Sequence, residues 1–107
     1  MPEEAPRRYK VALSGTQADY LKSEAAWARA KGVLKEYVAA LKEIEFRLTI
    51  EPADWGESRE RMAEARVQMR CGTSRMVTVL YGVAEDRDVV FVKEFRVNRD
   101  YQPPSPA

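Results

Sequence analysis

The segment VLYGVAEDRDVVFVKEF, residues 79–95, decides the fold of this chain. It contains two runs rich in β-branched and aromatic residues, 79–83 and 89–95, separated by the polar stretch AEDRD. Such runs joined by a short polar loop are typical of two antiparallel strands. The segment therefore predicts a hairpin, and the question is whether both of its faces serve only to close a core.

Alternation along this hairpin divides its side chains between two faces. One predicted set faces inward: Val77, Val79, Tyr81, Val83, Val89, Phe91, Phe95 and Val97. The other predicted set faces outward: Met76, Thr78, Leu80, Val90, Val92, Glu94, Arg96 and Asn98. Lys93 falls on the inner side by alternation, so we expect its ammonium group to extend to the edge of the sheet.

A helical pattern from about Gln17 to Leu48 provides the layer that would cover the inner face. Gly32 interrupts this pattern, which fits either two helices turning near Lys31–Gly32 or one long helix with a tolerated glycine. We favour the hairpin, because a single helix of roughly 30 residues would be long for a small domain. The apolar stripe is clearest in the second half, at Leu34, Tyr37, Val38, Leu41, Ile44 and Leu48.

The remaining strands are shorter. Residues 9–13 predict a first strand, residues 51–58 a loop, and residues from about Ala65 to Cys71 a second strand. On that second strand we expect one set of alternating side chains to face inward, Val67, Met69 and Cys71. We expect the other set to face outward, Arg66, Gln68 and Arg70.

These elements predict an α+β fold of order β-α-α-β-β-β. A helical hairpin would pack on one face of a small, mainly antiparallel four-stranded sheet. The opposite face, away from the helices, is called the open face. We expect one domain over residues 1–101, with residues 1–8 disordered, and a disordered Pro-rich tail over residues 102–107.

Composition excludes several classes of chemistry. The 18 Lys and Arg nearly cancel the 17 Asp and Glu, so net charge alone does not favour nucleic acid. Histidine is absent, which excludes His-based triads and His zinc sites within this chain. The single cysteine, Cys71, cannot form an intramolecular disulfide. No phosphate loop, metal motif or dinucleotide fingerprint occurs, so we expect neither metal nor cofactor.

The same features indicate a cytoplasmic protein. A lone cysteine fits a reducing compartment. No apolar run approaches the length of a membrane span, and the N-terminal stretch MPEEAPRR lacks the apolar core of a signal peptide.

Three motifs resemble the RelE/ParE toxin superfamily of bacterial toxin–antitoxin systems, over roughly residues 9–97. The loop PADWGE at 52–57 is similar to a P-x-x-W-G-E pattern, and the basic strand RVQMR follows at 66–70. The closing segment 79–95 resembles the superfamily's V-x-Y-x-V…D…V-V-V ending. The resemblance implies a small cytoplasmic toxin that a cognate antitoxin wraps and blocks. Members cleave mRNA on the ribosome or inhibit gyrase.

In the nuclease branch, basic residues and often a tyrosine near the C-terminus act on the open face without metal. Carried onto this sequence, the resemblance implies Arg70, Arg96 and Tyr101 as catalytic residues of an mRNA interferase, an endoribonuclease. RNA scission by the 2′-hydroxyl needs a proton acceptor, a proton donor and charge stabilisation at phosphorus. Phosphate binding would come from three further arginines, Arg66, Arg75 and Arg99.

The chain departs from the nuclease pattern at three places. Thr78 stands where nuclease members carry an arginine, RVN replaces the G-K-R that often follows the last strand, and Glu94 would repel phosphate. The competing interpretation is that these arginines are ordinary solvated strand residues. The alternative function is a non-catalytic RelE-fold protein whose open face binds a protein partner. A third hypothesis is an accessory protein from a phage or mobile element that kept the scaffold.

Overall fold

Two helices and five strands make up the part of the chain that the computed structural model describes, residues 8–103. The strands are β1 (Lys10–Ala12), β2 (Glu57–Met62), β3 (Val67–Ser74), β4 (Val77–Ala84) and β5 (Val89–Val97), and the helices are α1 (Gly15–Lys31) and α2 (Leu34–Ile50). The disorder expected for residues 1–7 and 104–107 concerns positions outside the described residues. Arg8, Gln102 and Pro103 are exposed and belong to no regular element.

The strands form one mixed sheet of order β1-β5-β4-β3-β2, in which β1 runs parallel to β5 and every other pairing is antiparallel. The α+β class is confirmed, but the expectation of four strands is wrong. The fifth strand, β2, overlaps the predicted loop and carries the sequence ESRERM, whose residues are all exposed. A charged edge strand has no buried face and therefore no alternation, so its backbone pairing with β3 is invisible in the hydrophobic pattern.

The predicted helical hairpin is confirmed. The Ser14 hydroxyl accepts a hydrogen bond from the Gln17 amide at 3.2 Å and caps the start of α1. Gly32 ends α1 with a φ of 82°, in the left-handed region that glycine adopts without the steric cost of a Cβ atom. The chain then reverses, and α2 begins at Leu34.

Both helices lie on one face of the sheet, and the core fills the space between them. Its large, fully buried side chains include Tyr37 and Leu48 of α2 and Tyr81 of β4. The Tyr37 hydroxyl donates to the Leu21 carbonyl at 2.7 Å, so this buried polar group is satisfied. Burial raises the pKa of Tyr37 to about 12, because the interior disfavours the charged phenolate.

A β-bulge in β5 reverses part of the predicted face assignment. Leu80 pairs with Glu94 and Tyr81 with Val92, which leaves Lys93 without a partner in β4. The extra residue shifts alternation by one position. As a result Val90 is fully buried on the helix side, Val92 packs against the core, and Phe91 is 37% exposed on the open face. The prediction for Val90, Phe91 and Val92 is therefore wrong, whereas Phe95 and Val97 lie inward as expected.

The predicted faces of β3 are also reversed. Arg70 pairs with Tyr81, and Gln68 with Val83, so both arginine and glutamine lie on the helix side of the sheet. Met69 and Cys71 consequently lie on the open face. Alternation divides a strand into two sets but does not say which set meets the helices, and the apolar set was assigned inward.

Two features beside this strand complete the core. Met76, predicted to face outward, lies in the turn between β3 and β4, where it is 1% exposed and belongs to the core. Trp55 stacks on Tyr81 with 6.0 Å between ring centroids. Its ring also lies against Gly72, where a Cβ atom would come within 2.4 Å of an indole carbon. The loop after α2 is thus packed onto the sheet.

Candidate functional site

The open face is a continuous surface formed by β3, β4 and β5, with residues of the edge strand β2 at its margin. No helix covers it, since α1 and α2 both pack on the opposite side. The strand register places these side chains on it: Met69, Cys71 and Thr73 of β3, Thr78 and Leu80 of β4, and Phe91, Glu94 and Arg96 of β5. Gly82 of β4 lies between Met69 and Phe91 and contributes no side chain. The surface grades from apolar at the Phe91 end to polar at the Arg96 end.

The polar end contains a hollow of about 360 Å³, called here the polar hollow. Arg96 Nε lies 3.1 Å from Glu94 Oε2, and 77% of the Arg96 side chain is exposed. Next to it the hydroxyls of Thr73 and Thr78 are 2.9 Å apart and share a hydrogen bond. The polar hollow has seven lining residues: Arg59, Glu60, Cys71, Thr78, Leu80, Glu94 and Arg96.

The other end contains a hollow of about 330 Å³, called here the apolar hollow. Phe91 is 37% exposed and Met62 49% exposed, which are large fractions for apolar side chains. The floor is closely packed, since a Cβ atom on Gly82 would lie 2.4 Å from Val67 Cγ1. The apolar hollow has eight lining residues: Met62, Ala65, Val67, Met69, Gly82, Arg87, Phe91 and Lys93.

Arg70, a predicted catalytic residue, holds the loop that follows α2. Its Nε donates to the Trp55 carbonyl at 2.8 Å, Nη1 to Ser58 Oγ at 2.8 Å, and Nη2 to the Gly56 carbonyl at 3.0 Å. The Tyr81 hydroxyl donates to the same Trp55 carbonyl at 2.7 Å. Burial raises the pKa of that hydroxyl, although the nearby Arg70 works in the opposite direction. The guanidinium group therefore fastens the loop to the helix side of the sheet.

Two of the predicted phosphate-binding arginines are paired with helix carboxylates. Arg75 adopts a φ of 51° in the turn between β3 and β4, and its Nε lies 3.3 Å from Glu36 Oε2 of α2. Arg99 binds both carboxylate oxygens of the buried Glu24 of α1, at 3.1 and 2.8 Å. This hydrogen bond and charge pairing raise the pKa of Arg99. Both arginines stabilise contacts to the helix layer, away from the open face.

The last two predicted residues also lie off the open face. Arg66 is exposed in the turn between β2 and β3, with a φ of 53°. Tyr101 is half-buried and packs against the core. The prediction that Arg66, Arg70 and Arg96 gather on the open face is therefore wrong, since Arg96 is the one member of that trio located there.

Sequence reasoning missed the residues that shape both hollows. Arg59 and Glu60 belong to β2, a strand that was not predicted, and Phe91 was placed on the wrong face. The signal that could have revealed the bulge was Lys93, a charged residue on the predicted inner face between Phe91 and Phe95. Because 89–92 is an unbroken apolar run, alternation alone cannot assign its faces.

Residues 8–103 contain no group of three or more Cys, Asp or Glu side chains arranged to hold a metal ion. Within the same residues, neither helix is long and apolar enough to cross a membrane. Comparisons with protein-family models, curated proteins and solved structures found no match to this chain. The RelE/ParE resemblance therefore rests on its sequence motifs.

Proposed function

We propose that this chain is a RelE/ParE-like protein that binds a protein partner on its open face without catalysing a reaction. The observation that carries the proposal is the exposure of large apolar side chains on that face. Phe91 and Met62 account for two of the five large apolar side chains that are exposed in the described residues. Exposed apolar patches rimmed by polar groups usually mark interaction surfaces.

The charges of the polar hollow favour a protein over a nucleic acid. Arg59 and Arg96 line it together with Glu60 and Glu94, so the two signs balance. A phosphate that approached Arg96 would also meet Glu94, whose carboxylate is already 3.1 Å from the arginine. Nucleic-acid affinity depends on uncompensated positive charge, which the polar hollow lacks. A protein surface with its own mixed charges fits better.

The positions of the other arginines support the same proposal. Arg70, Arg75 and Arg99 donate to backbone oxygens or to carboxylates of the chain itself. Recruiting any of them to a phosphate would break contacts that hold the loop after α2 or the helix layer in place.

The proposal is testable with Cys71, the only cysteine of the chain, which lines the polar hollow. The chain is purified alone and together with its candidate partner, a small protein encoded by a neighbouring gene, as expected for a cognate antitoxin. The rate of thiol labelling is then measured in both samples. We expect the partner to slow labelling of Cys71. The variant Phe91→Glu should remove this protection, whereas Phe46→Glu, at a 55% exposed position on α2, should retain it.

Two results would contradict the proposal. One is a complex that forms and leaves the labelling rate of Cys71 unchanged. The other is protection that is lost equally in Phe91→Glu and Phe46→Glu, since the second change lies in the helix layer.

The second candidate is a type II toxin acting as a ribosome-dependent mRNA interferase. It is favoured by the exposure of Arg96 and Arg59 beside one another in the polar hollow. Expression in a bacterial host would then arrest growth and cut mRNA on ribosomes. Arg96→Ala should abolish both effects, whereas Arg29→Ala, at an exposed position in the last turn of α1, should leave them intact. Normal growth with intact mRNA would rule this candidate out.

A further inference from the structure

We propose that the apolar hollow anchors an acidic segment of the partner. One apolar side chain of that segment enters between Met62 and Phe91, while neighbouring carboxylates meet Arg87 and Lys93. This inference rests on the proposed function, because it names the chemistry that the open face would recognise.

The apolar part of the argument comes from packing. Val67 and Met69 are 6% and 7% exposed and close the floor of the hollow, whereas Phe91 and Met62 remain exposed at its rim. The base of the hollow is thus well packed, whereas the apolar side chains at its rim are exposed to solvent. An apolar side chain placed there would remove both exposed residues from water, which favours binding through the hydrophobic effect.

The charged part comes from two cations without carboxylate partners. Arg87 contacts the Phe91 ring, with Cζ 5.5 Å from the ring centroid. Within the described residues, neither Arg87 nor Lys93 has a carboxylate oxygen within 4.0 Å. Several arginines elsewhere do have such a partner: Arg47, Arg59, Arg61, Arg75, Arg96 and Arg99.

The residues that line the apolar hollow include two cations and no acidic residue. Asp86 and Asp88 flank Arg87 in the loop between β4 and β5, but neither lines the hollow. The polar hollow, in contrast, balances two arginines with two glutamates. Charge complementarity therefore selects an acidic neighbour for the anchor at this end of the open face.

The bulge explains why the two kinds of group meet here. Without it, Phe91 and Lys93 would both lie on the helix side, together with Phe95. With the extra residue in β5, Phe91 faces outward and Lys93 lines the same hollow. The bulge thus lets Phe91 face outward beside Lys93 while Phe95 stays in the core, a combination that regular alternation would not allow.

The test uses two fluorescein-labelled amphipathic helical peptides with identical apolar positions, one carrying glutamate and the other lysine at its polar positions. Fluorescence anisotropy measures the affinity of each peptide for the full chain. We expect the glutamate peptide to bind about tenfold more tightly, since two exposed ion pairs contribute roughly 1 kcal/mol or somewhat more. Raising the salt concentration should reduce this preference.

Matched variants locate the binding. Phe91→Glu should abolish binding of the glutamate peptide, and Phe46→Glu should leave it unchanged. The double variant Arg87→Glu with Lys93→Glu should favour the lysine peptide. Because all these positions are exposed, circular dichroism should show the same fold in every variant.

The outcomes separate this inference from the proposed function. Equal affinity for the two peptides, no binding of either, or no effect of the double variant would overturn the inference. The proposed function would still stand if the cellular partner protected Cys71 and Phe91→Glu removed that protection. If the partner also left Cys71 unprotected, both would fail.

Discussion

The two faces of the sheet differ in burial and in how their polar groups are paired. On the helix side Tyr81, Val79 and Val90 are fully buried, and the Tyr81 hydroxyl lies within hydrogen-bond distance of the Pro52 and Trp55 carbonyls. On the open face Arg96 and Glu94 pair in solvent and Phe91 stays exposed. Under the proposed function, stability depends on the helix side and recognition on the open face. Mutations should therefore separate the two properties.

The largest effect expected is on the helix side. Leu48→Ala removes a side chain that is 2% exposed, so the free energy of unfolding should fall by about 3 kcal/mol through lost burial and a residual cavity. Leu80→Ala on the open face should cost less than about 1 kcal/mol. Urea denaturation of both variants measures the contrast. Equal losses would show that the open face is packed as tightly as the covered one.

A smaller loss is expected at the loop after α2. Arg70→Ala removes two hydrogen bonds to loop carbonyls and one to the Ser58 hydroxyl of β2, and should lower the free energy of unfolding by about 2 kcal/mol. Proteolysis should then cut more readily near residues 53–57. A variant that unfolds like the wild type but loses a cellular activity would instead make Arg70 a catalytic residue, as the resemblance implied.

The buried phenol of Tyr37 predicts a pH-dependent loss. Its folded pKa is about 12 and its ordinary value is 10.0, so the folded state retains the proton more strongly. This contribution is complete below about pH 9, falls as pH rises through 10 to 12, and is then lost. Tyr37→Phe should cost about 1 kcal/mol at neutral pH and flatten the alkaline decline. Denaturation at several pH values measures the free energy of unfolding of the wild type and of Tyr37→Phe. The assignment would be refuted if this free energy fell equally with pH in both proteins.

The smallest effect on stability is expected at Arg96. Its side chain is 77% exposed, so Arg96→Ala should change the free energy of unfolding by less than about 0.5 kcal/mol. Partner binding should nevertheless weaken, as measured by faster labelling of Cys71 in the complex. A large stability loss would show instead that the Arg96–Glu94 ion pair stabilises the fold, so the open face would also contribute to stability.

The sequence was sufficient where its periodicity allows only one assignment of the side chains. The turn at Gly32 and the inward row Val77, Val79, Tyr81 and Val83 follow from helical and strand periodicity. The sequence was not sufficient to assign the faces of β3 and β5 or to identify the ion-pair partners of the arginines. An unbroken apolar run conceals a bulge, and alternation on β3 cannot say which row meets the helices.

The candidate site was less predictable than the fold. Nothing in the sequence distinguishes Arg75 and Arg99 from the other arginines. Only the positions of Glu36 and Glu24 on the helices show that both are paired. The ends of such ion pairs are separated by 39 and 75 positions in the chain. A charge pattern read locally cannot detect contacts at that range.

The pairing of β1 with β5 has a consequence for synthesis on the ribosome. In this pairing β1 aligns Lys10, Val11 and Ala12 with Val89, Val90 and Phe91. β1 therefore cannot pair until β5 has been synthesised. The helical hairpin and the strands from β2 to β4 emerge before β1 has a strand to pair with. Closure of such distant contacts is slow, and late exposure of a growing chain invites premature association. A stop codon before residue 89 would therefore leave both β1 and β4 with an unpaired edge.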